Sequence, residues 1–286
     1  MDNFREKLIY LLHYPNVTWH QVFQILKKDP ALQNLCRYDS DPLKPFETST
    51  SFTSYQSDLI HEQIRHYETN NISIITIFDK EYPEMLKETY QPPWGLFAKG
   101  DIRLLGKNPK LAVVGSRQAT QYGKNSIRLI FPGLIDKGVV IVSGLAKGID
   151  ALAHEQAIKN GGSTIAVIAG GLYHIYPKEN IDLAAQMMNS QLVLSEYPPD
   201  TLPQRWHFPA RNRIISGLSH GTFIIEAKRK SGSLITANYA VNEGRDVFSL
   251  PGSIFNPYSI GTNDLIQQGA KLVTSAEDIL VEITHK

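Results

Sequence analysis

Glycine, serine and arginine follow two short apolar runs of the sequence, and these residue types can bind an anion. The run LAVV ends at Gly115, Ser116 and Arg117. The run VVIV ends at Ser143 and Gly144. Glycine lets backbone N–H groups approach a ligand, serine supplies a hydroxyl, and arginine can grip two phosphate oxygens at once. Because the dinucleotide fingerprint G-x-G-x-x-G is absent from the first turn, the sequence predicts a phosphate site of another kind.

Two later turns repeat this composition. Gly170-Gly171 follows the run TIAVIA, with Lys178 shortly beyond it, and Ser231-Gly232-Ser233 follows the run TFIIEA after a longer gap. In open α/β sheets, ligands bind outside the carboxyl ends of the strands, where helix N termini present unpaired N–H groups. We therefore expect four turns to meet at one edge of a sheet, where Arg117 and Lys178 hold a phosphate.

Basic side chains are concentrated in the segment from residue 205 to residue 230. Its six basic residues, against one acidic residue, are Arg205, Arg211, Arg213, Lys228, Arg229 and Lys230. The net charge of the whole chain is only +1, so a nucleic acid would have to be held by a local patch. The local excess by itself suits either an anion-binding patch or a solvated surface.

Composition limits the class of protein. The 286 residues are 42% hydrophobic, which is enough for one large α/β domain and a small additional module. A single cysteine, Cys36, excludes an internal disulfide and a cysteine-based metal cluster. No apolar run approaches the roughly 18–20 residues that span a bilayer. We expect a cytoplasmic protein that uses no membrane, metal or cofactor.

The chain divides into two predicted parts. Residues 4–38 show helical periodicity, with Thr18 as a candidate N-cap and Asp29 followed by proline as a stop. Residues 39–57 are rich in Ser, Thr, Pro and Asp, which is typical of a connection. After Ile72, β-branched runs alternate with candidate helices, and this predicts a mostly parallel sheet. The predicted domains are a helical module over 1–65 and an α/β domain over 66–286.

Three other patterns could do chemistry. Ser219 lies in a G-x-S-x-G sequence, but a nucleophile elbow needs a strand before the serine, and here the candidate strand follows it. Asp150 and His154 are four residues apart and could be metal ligands or an acid–base pair. A structural hydrogen bond is favoured, because no third ligand is spaced suitably. Tyr173 and Tyr176 could stack on bases or belong to the core.

Longer motifs carry a family resemblance. VVGSR, IVSGLAKGIDALAH, FPARNRIISG, SGSLITA and GTNDLIQQGA resemble the DprA/Smf family, the DNA-processing A proteins of natural transformation, over residues 83–274. The resemblance implies an extended Rossmann-like domain that binds and protects single-stranded DNA and passes it to the RecA recombinase. It also implies a homodimer without enzymatic activity. The first 65 residues are loosely similar to the helical SAM-like module of some members.

The resemblance also implies which residues bind DNA. It places DNA phosphates at Ser116 and Arg117, with Lys178 and Arg205 as further contacts. The segment of Arg211 and Arg213 is similar throughout, and which of these two side chains touches DNA stays open. A single strand of any sequence can be held by cations and N–H groups that bind phosphates and leave the bases unread.

Two alternative functions remain at this point. A Rossmann-like nucleotide phosphoribohydrolase would carry a P-G-G-x-G-T turn and a following acid, whereas SGSLITANYA is followed by no carboxylate before Glu243. A nucleotide-sensing module would bind a small phosphate ligand without chemistry. Incubation with nucleoside monophosphates distinguishes these two functions, since base release indicates an enzyme and saturable binding alone indicates a sensor.

The segment GTNDLIQQGAKLV predicts an association surface. A helix over 264–269 and a final strand are expected, with Leu265 and Val273 facing the core. Adjacent helical residues point about 100° apart and adjacent strand residues point to opposite faces, so Ile266 and Leu272 would face outward. Exposed apolar side chains beside a terminal strand are typical of an interface. The family resemblance places its dimer contact in the same segment.

Overall fold

The apolar runs form one sheet in the part of the chain that the structure describes. A computed structural model describes residues 3–14, 17–33 and 54–284. Within these ranges, the strands are β1 (Ile72–Thr76), β2 (Gly95–Gly100), β3 (Lys110–Val114), β4 (Val140–Ser143), β5 (Thr164–Ile168), β6 (Leu192–Ser195), β7 (Gly221–Ile224), β8 (Asp246–Ser249) and β9 (Lys271–Leu272).

The strand order is β1-β2-β6-β5-β4-β3-β7-β8-β9. All neighbouring pairs from β6 to β9 are parallel, and Val113 of β3 lies opposite Phe223 of β7. The pairs β1–β2 and β2–β6 are antiparallel. The predicted α/β class with a mostly parallel sheet is therefore confirmed.

Helices cover both faces of this sheet. In the described ranges they are α1 (Asn3–His13), α2 (Trp19–Lys28), α3 (Ser54–Thr69), α4 (Glu84–Lys87), α5 (Gln121–Asp136), α6 (Ile149–Lys159), α7 (Ile181–Ser190), α8 (His207–Gly217), α9 (Gly232–Asn242), α10 (Ile260–Gln267) and α11 (Glu277–Ile283). Short 3-10 helices span Ile102–Gly106 and Lys178–Asn180. Among the residues that the structure describes, no helix combines the length and the apolar character that crossing a bilayer requires.

The central strands β3, β4 and β5 are mostly apolar because both of their faces are buried. Leu111 and Val113 of β3 pack with Phe131 of α5 in one cluster. Ala112 and Val114 pack with residues of α8 and α9 in another cluster. Successive strand residues point to opposite faces, so these clusters form the cores of the two layers. A parallel sheet covered in this way needs continuous apolar runs, as the sequence has.

The order of the strands creates a crevice beside β3. Chain direction runs from β3 through β4 and β5 to β6 on one side, and α8 then returns the chain to β7 on the other side of β3. At such a switch point, the loops after neighbouring strands leave toward opposite faces and a gap opens between them. The turn at Gly115-Ser116-Arg117 lies at this gap.

The N-terminal helices agree with the sequence prediction. Thr18 caps α2 and forms a reciprocal capping box with Gln21, and Asp29 follows the last turn. Leu8 of α1 packs in one apolar cluster with residues of α2 and with Trp94. The predicted boundary between residues 65 and 66 falls inside α3. Cys36 and most of the predicted connection lie outside the described residues, and the likeness to a SAM module stays a prediction.

Candidate nucleic-acid interface

A cleft of about 620 Å³ opens at the carboxyl edge of the sheet, beside β3. Its walls come from the turn after β3, the start of α6, the first half of α8 and the loop that enters α9. Its lining includes Gly115, Arg117, Asp150, Tyr176, Arg205, Phe208, Arg211, Asn212, Ser231, Gly232 and Ser233. Three of the four predicted turns, those after β3, β4 and β7, therefore meet here. The fourth, Gly170-Gly171 after β5, is absent from this lining and packs against Pro203 and the Pro198 carbonyl.

Arg117, in the turn after β3, is an exposed cation of the cleft. Its guanidinium carbon lies 5.9 Å from the centroid of the Phe208 ring. Phe208 in turn packs edge-on against Tyr176, with 5.7 Å between the ring centroids. A cation at the face of an aromatic ring is attracted by the ring quadrupole and keeps its other N–H groups free for a ligand. The arrangement holds Arg117 at the mouth of the cleft.

The turn that carries Arg117 is fixed by its own hydrogen bonds. The hydroxyl of Ser116 accepts from the N–H of Gln118 at 3.0 Å and donates to the Gln118 carbonyl at 3.1 Å. The Ser116 carbonyl accepts from the N–H of Ile149 at 3.1 Å. Gly148 has a φ of +75°, and a Cβ there would lie 2.3 Å from the same carbonyl oxygen. Ser116 therefore braces the turn, and the contact of its hydroxyl with a phosphate stays a prediction.

Ser143 and Gly144 serve the interior. Ser143 is fully buried, and its hydroxyl donates to the Val113 carbonyl at 2.6 Å. A Cβ at Gly144 would lie 2.3 Å from the nearest guanidinium nitrogen of Arg211. The structure gives these residues two structural roles, and their role in binding phosphate stays a prediction. Ser143 ties β4 to β3, and Gly144 leaves space for a buried arginine.

Arg211 lies at the floor of the cleft with most of its guanidinium engaged. It is 6% exposed, and its Nη1 donates to the carbonyl groups of Gly144 and Val167. Burial lowers the pKa of Arg211 to about 10, and the opposite charge of Asp150 works against that shift. Arg211 therefore adds positive charge to the floor while it also connects α8 to the ends of β4 and β5.

Arg213 lies apart from the lining of this cleft. Its guanidinium donates to the carboxylate of Glu196 at 2.5 Å, and the two side chains are 11% and 18% exposed. Burial raises the pKa of Glu196, and the charge and hydrogen bond of Arg213 oppose that shift. The charge of Arg213 is thus used by a buried ion pair, and its contact with DNA stays a prediction.

Arg205 and Lys178 differ in their relation to the cleft. Arg205 is exposed and lines it, immediately before α8. Lys178 is exposed on a 3-10 helix and follows Tyr176 and Pro177, which line the cleft and a smaller adjoining pocket. Lys178 itself is at the margin. Tyr176 is 53% exposed at the cleft, so its ring is available to a ligand.

The other patterns with possible chemistry have structural partners. Ser219 is buried after a helix and donates to the Ile215 carbonyl at 3.0 Å, so no nucleophile elbow exists. His154 is buried, and its Nδ1 lies 2.7 Å from the hydroxyl of Thr164. Burial lowers the pKa of His154 to about 3, which keeps the imidazole neutral. The described ranges contain no group of three or more His, Cys, Asp or Glu side chains placed to hold a metal ion.

Sequence reasoning missed two side chains of the cleft. Phe208 supports Arg117, and Asn212 lies one residue beyond the buried Arg211. The segment HFPARNR already places an aromatic residue and an amide among basic residues, a composition typical of surfaces that bind nucleic acids. Its helical phase would have put Phe208 and Asn212, four residues apart, on one face.

The predicted association surface has the expected exposure. Leu272 is 48% exposed on β9, which ends the sheet, and Ile266 is partly exposed on α10. Val273 is fully buried, and Leu265 packs against the core. The helix begins four residues earlier than predicted, at Ile260, and its C terminus is followed by a glycine with positive φ. The homodimer itself stays a prediction.

Comparison with known proteins gives a consistent result. The family model described as DNA recombination-mediator protein A matches residues 73–284. The DNA processing protein DprA of Bacillus subtilis (strain 168) is 53% identical over 257 residues, which cover 90% of this chain and 85% of that protein. The X-ray structure of DprA from Streptococcus pneumoniae has a TM-score of 0.79 and 43% sequence identity, covering 97% of this chain and 98% of that one.

A further relative is described with its ligand. A structure of DNA processing protein A from Helicobacter pylori, reported for its single-stranded DNA binding mode, has a TM-score of 0.67 and 32% sequence identity. It covers 75% of this chain and 96% of that one. The family model, the sequence relatives and the solved structures thus agree with the motifs from VVGSR to GTNDLIQQGA. The chain belongs to the DNA recombination-mediator protein A family, the DprA/Smf family that its motifs resemble.

Proposed function

We propose that this protein binds single-stranded DNA in the cleft at the carboxyl edge of the sheet. The observation that carries the proposal is the pair of exposed cations, Arg117 and Arg205, which line one cleft together with the buried Arg211. Phosphates of a single strand repeat along the backbone, so separated cations can each take one phosphate. The Helicobacter pylori relative, which binds single-stranded DNA, supports the same ligand.

The aromatic side chains of the cleft suit a strand with accessible bases. Tyr176 and Phe208 both line the cleft, and Tyr176 is about half exposed. Every base presents a π-face, so stacking on such rings is tolerant of sequence and contributes about 1–3 kcal/mol per base. A duplex keeps its bases stacked on one another and would use only the phosphate contacts. This difference favours the single strand.

The finer biological role rests on family membership. We infer that the protein protects incoming single-stranded DNA and helps to load the RecA recombinase during natural transformation and recombination, and that it acts as a homodimer in the cytoplasm. We propose no enzymatic activity. In support, the acidic residue of the cleft, Asp150, is buried beside Arg211, which favours a structural role over that of a general base.

The phosphoribohydrolase and nucleotide-sensor alternatives are less well supported. Glu243, the first carboxylate after SGSLITANYA, lines a different pocket with Tyr90 and Arg245. A carboxylate in that pocket does not face a nucleotide held by Arg117. Incubation with nucleoside monophosphates tests both alternatives, because release of free base would establish an enzyme and saturable binding without release would establish a sensor.

A comparison of oligo-dT with the matching duplex tests the main proposal. Binding is measured by fluorescence anisotropy at two salt concentrations. We expect oligo-dT to bind more tightly at both, with affinity that falls as salt rises, because phosphate contacts release counterions. Equal affinity for the duplex, or affinity for oligo-dT that is independent of salt, would contradict single-strand binding through these cations. A RecA-loading assay on coated single strands tests the finer role.

A further inference from the structure

Buried carboxylates lie at the N termini of two helices, α5 and α6, and the one at α6 lines the cleft. Helix N termini at the carboxyl edge of an α/β sheet are the places where such folds ordinarily bind phosphate. Glu226 follows β7 and is 1% exposed. It accepts from the N–H of Thr120, the N-cap of α5, at 2.9 Å, and from the Thr120 hydroxyl. A Cβ at Gly123 would lie 2.6 Å from this carboxylate, so the first turn of α5 is shaped around Glu226.

Asp150 is a second buried carboxylate, and it belongs to α6 itself. It lies in the first turn of that helix, is 6% exposed and lines the floor of the cleft. Burial raises the pKa of Asp150, whereas the charge of Arg211 and the peptide N–H groups of Ala146, Gly144 and Gly115 favour its carboxylate. The N–H groups of the glycine turns, which the sequence assigned to an external phosphate, are thus directed at an internal anion.

These contacts have an electrostatic consequence for ligands. A mononucleotide phosphate carries a charge of about −1.5 to −2 at neutral pH. If it entered the floor of the cleft, it would meet the Asp150 carboxylate and find the nearby N–H groups already engaged. Arg117 and Arg205 also line the cleft, but unlike Asp150 and Arg211 they are exposed. Each of them offers one cation to one phosphate, which is enough only for a ligand with several phosphates.

We propose that Asp150 is a specificity determinant that occupies the anion position of the fold at the start of α6 and so excludes free mononucleotide phosphates from the cleft. The protein then selects a phosphate polymer, whose successive phosphates reach the exposed cations. This inference rests on the proposed binding of single-stranded DNA and names the ligands that the same site rejects.

Replacing Asp150 by a smaller, uncharged residue tests the proposal. The probes are dTMP and inorganic phosphate, with binding measured by isothermal titration calorimetry and by the shift in Tm. Asp150→Ala removes the carboxylate and leaves space beside Arg211 and the N–H groups. Asp150→Asn is the matched control, because it removes the same charge but keeps the volume and an acceptor oxygen. Asp150→Ser is a second vacating variant in case the alanine variant does not fold.

We expect no saturable binding of dTMP or phosphate by the wild-type protein. Asp150→Ala or Asp150→Ser should bind both probes at least about tenfold more tightly than Asp150→Asn, because charge-assisted hydrogen bonds become available only where space is vacated. Phosphate should raise the Tm of the vacated variants and leave that of Asp150→Asn unchanged.

Two results would overturn the proposal. One is saturable binding of dTMP by the wild-type protein, and the other is a folded Asp150→Ala or Asp150→Ser that gains no affinity for either probe over Asp150→Asn. Binding of oligo-dT by the wild-type protein in the same buffer is measured separately. If the wild-type protein does not bind oligo-dT, the proposed function is rejected. The dTMP results decide only the role of Asp150.

Discussion

The guanidinium of Arg117 rests on the ring of Phe208, with 5.9 Å between the guanidinium carbon and the ring centroid. Arg117 follows β3 and Phe208 lies in α8, so two segments about ninety residues apart in the sequence build one wall of the cleft. The contact contributes about 0.5–1 kcal/mol at an exposed site and limits the orientations of the arginine. An arginine held in this way loses less conformational freedom when it binds a phosphate.

Replacing Arg117 by alanine should weaken single-strand binding equally for all sequences. Loss of one phosphate contact should flatten the slope of log K against log salt by about 0.7, the value for one contact with a single strand. Arg117→Lys should keep the slope, because the charge remains, but lose affinity, because a lysine cannot bind two phosphate oxygens at once. Anisotropy titrations of oligo-dT and of mixed sequences over a range of salt measure both effects.

Arg103→Ala is the matched control for this series. Arg103 is an exposed arginine on the 3-10 helix Ile102–Gly106, paired with Asp101 and distant in the fold from the cleft. It should leave the affinity and the salt slope unchanged. An Arg117→Ala protein that binds oligo-dT as tightly as the wild type at every salt concentration would show that the site is wrongly placed.

Arg205→Ala and Lys178→Ala should also weaken the binding of oligo-dT, and both variants should keep the fold. Both side chains are exposed, and neither forms an ion pair with any residue in the described ranges, so truncation leaves no buried charge behind. Each should reduce the salt slope by about 0.7. Circular dichroism checks the fold and anisotropy checks the slope. An unchanged slope for either variant removes that residue from the phosphate contacts.

Arg213→Ala should destabilise the protein. It would leave the carboxylate of Glu196 mostly buried without its partner, which costs about 3 kcal/mol in the free energy of unfolding. Urea unfolding measures this loss. The double variant Glu196→Gln with Arg213→Met should recover most of the stability, because no buried charge remains. A stable Arg213→Ala protein that has lost affinity for oligo-dT would show that Arg213 contacts DNA.

Glu243 should make stability depend on pH. Burial raises the pKa of Glu243 to about 7 from its ordinary value of 4.5, against the smaller opposing effects of Arg245 and Arg213. Between these two values the unfolded chain has lost this proton while the folded protein keeps it. The folded state therefore binds more protons, and stability falls as the pH rises from about 4.5 to about 7.

Glu243→Gln isolates this contribution, because glutamine resembles the protonated carboxyl group and does not titrate. The variant should gain stability relative to the wild type as the pH increases from 4.5 to 7.5. Thermal unfolding of both proteins at each pH gives the difference, and other titrating groups cancel in it. If the difference between the two proteins is the same at both pH values, Glu243 does not titrate in this range.

Leu272→Arg, or Ile266→Arg, should give a folded monomer. Leu272 is 48% exposed on the strand that ends the sheet, so a charge there would be solvated in the monomer and desolvated in a dimer. The monomer should keep single-site affinity for short oligonucleotides. It should lose on the order of 100-fold in affinity for long ones, because a second linked site no longer raises the effective concentration.

Light scattering after size exclusion gives the oligomeric state. Leu129→Arg is the matched control, since Leu129 is 74% exposed on α5, away from the predicted surface. It should leave the mass and the binding of long strands unchanged. A Leu272→Arg protein that still runs as a dimer, with unchanged binding to long strands, would reject the assignment of this surface.

Much of the fold could be predicted from the sequence because local patterns determine it. Continuous apolar runs such as LAVV and IAVI require burial on both faces, and this predicts a parallel sheet between helices. Thr18 and Gln21 have the spacing of a capping box, which depends only on residues three apart. The meeting of the turns after β3, β4 and β7 follows from the common direction of parallel strands.

The roles of individual side chains in the cleft depended on contacts between distant segments. Arg211 and Arg213 are two residues apart in the same helix, yet one lies at the floor of the cleft and the other binds Glu196. Residues two apart on a helix point about 200° away from each other, so α8 presents them to different surroundings. Only the packing of α8 against the sheet determines which of them faces the cleft.

The same limit applies to the glycine and serine turns. The sequence by itself determined the family, the sheet and the edge at which the turns meet. Only the tertiary structure decided that Ser143 bonds Val113, that Gly144 makes space for Arg211 and that Asp150 lies at the floor of the cleft. A hydroxyl or an N–H group binds the nearest suitable partner, and in a folded chain that partner can come from a residue far along the sequence.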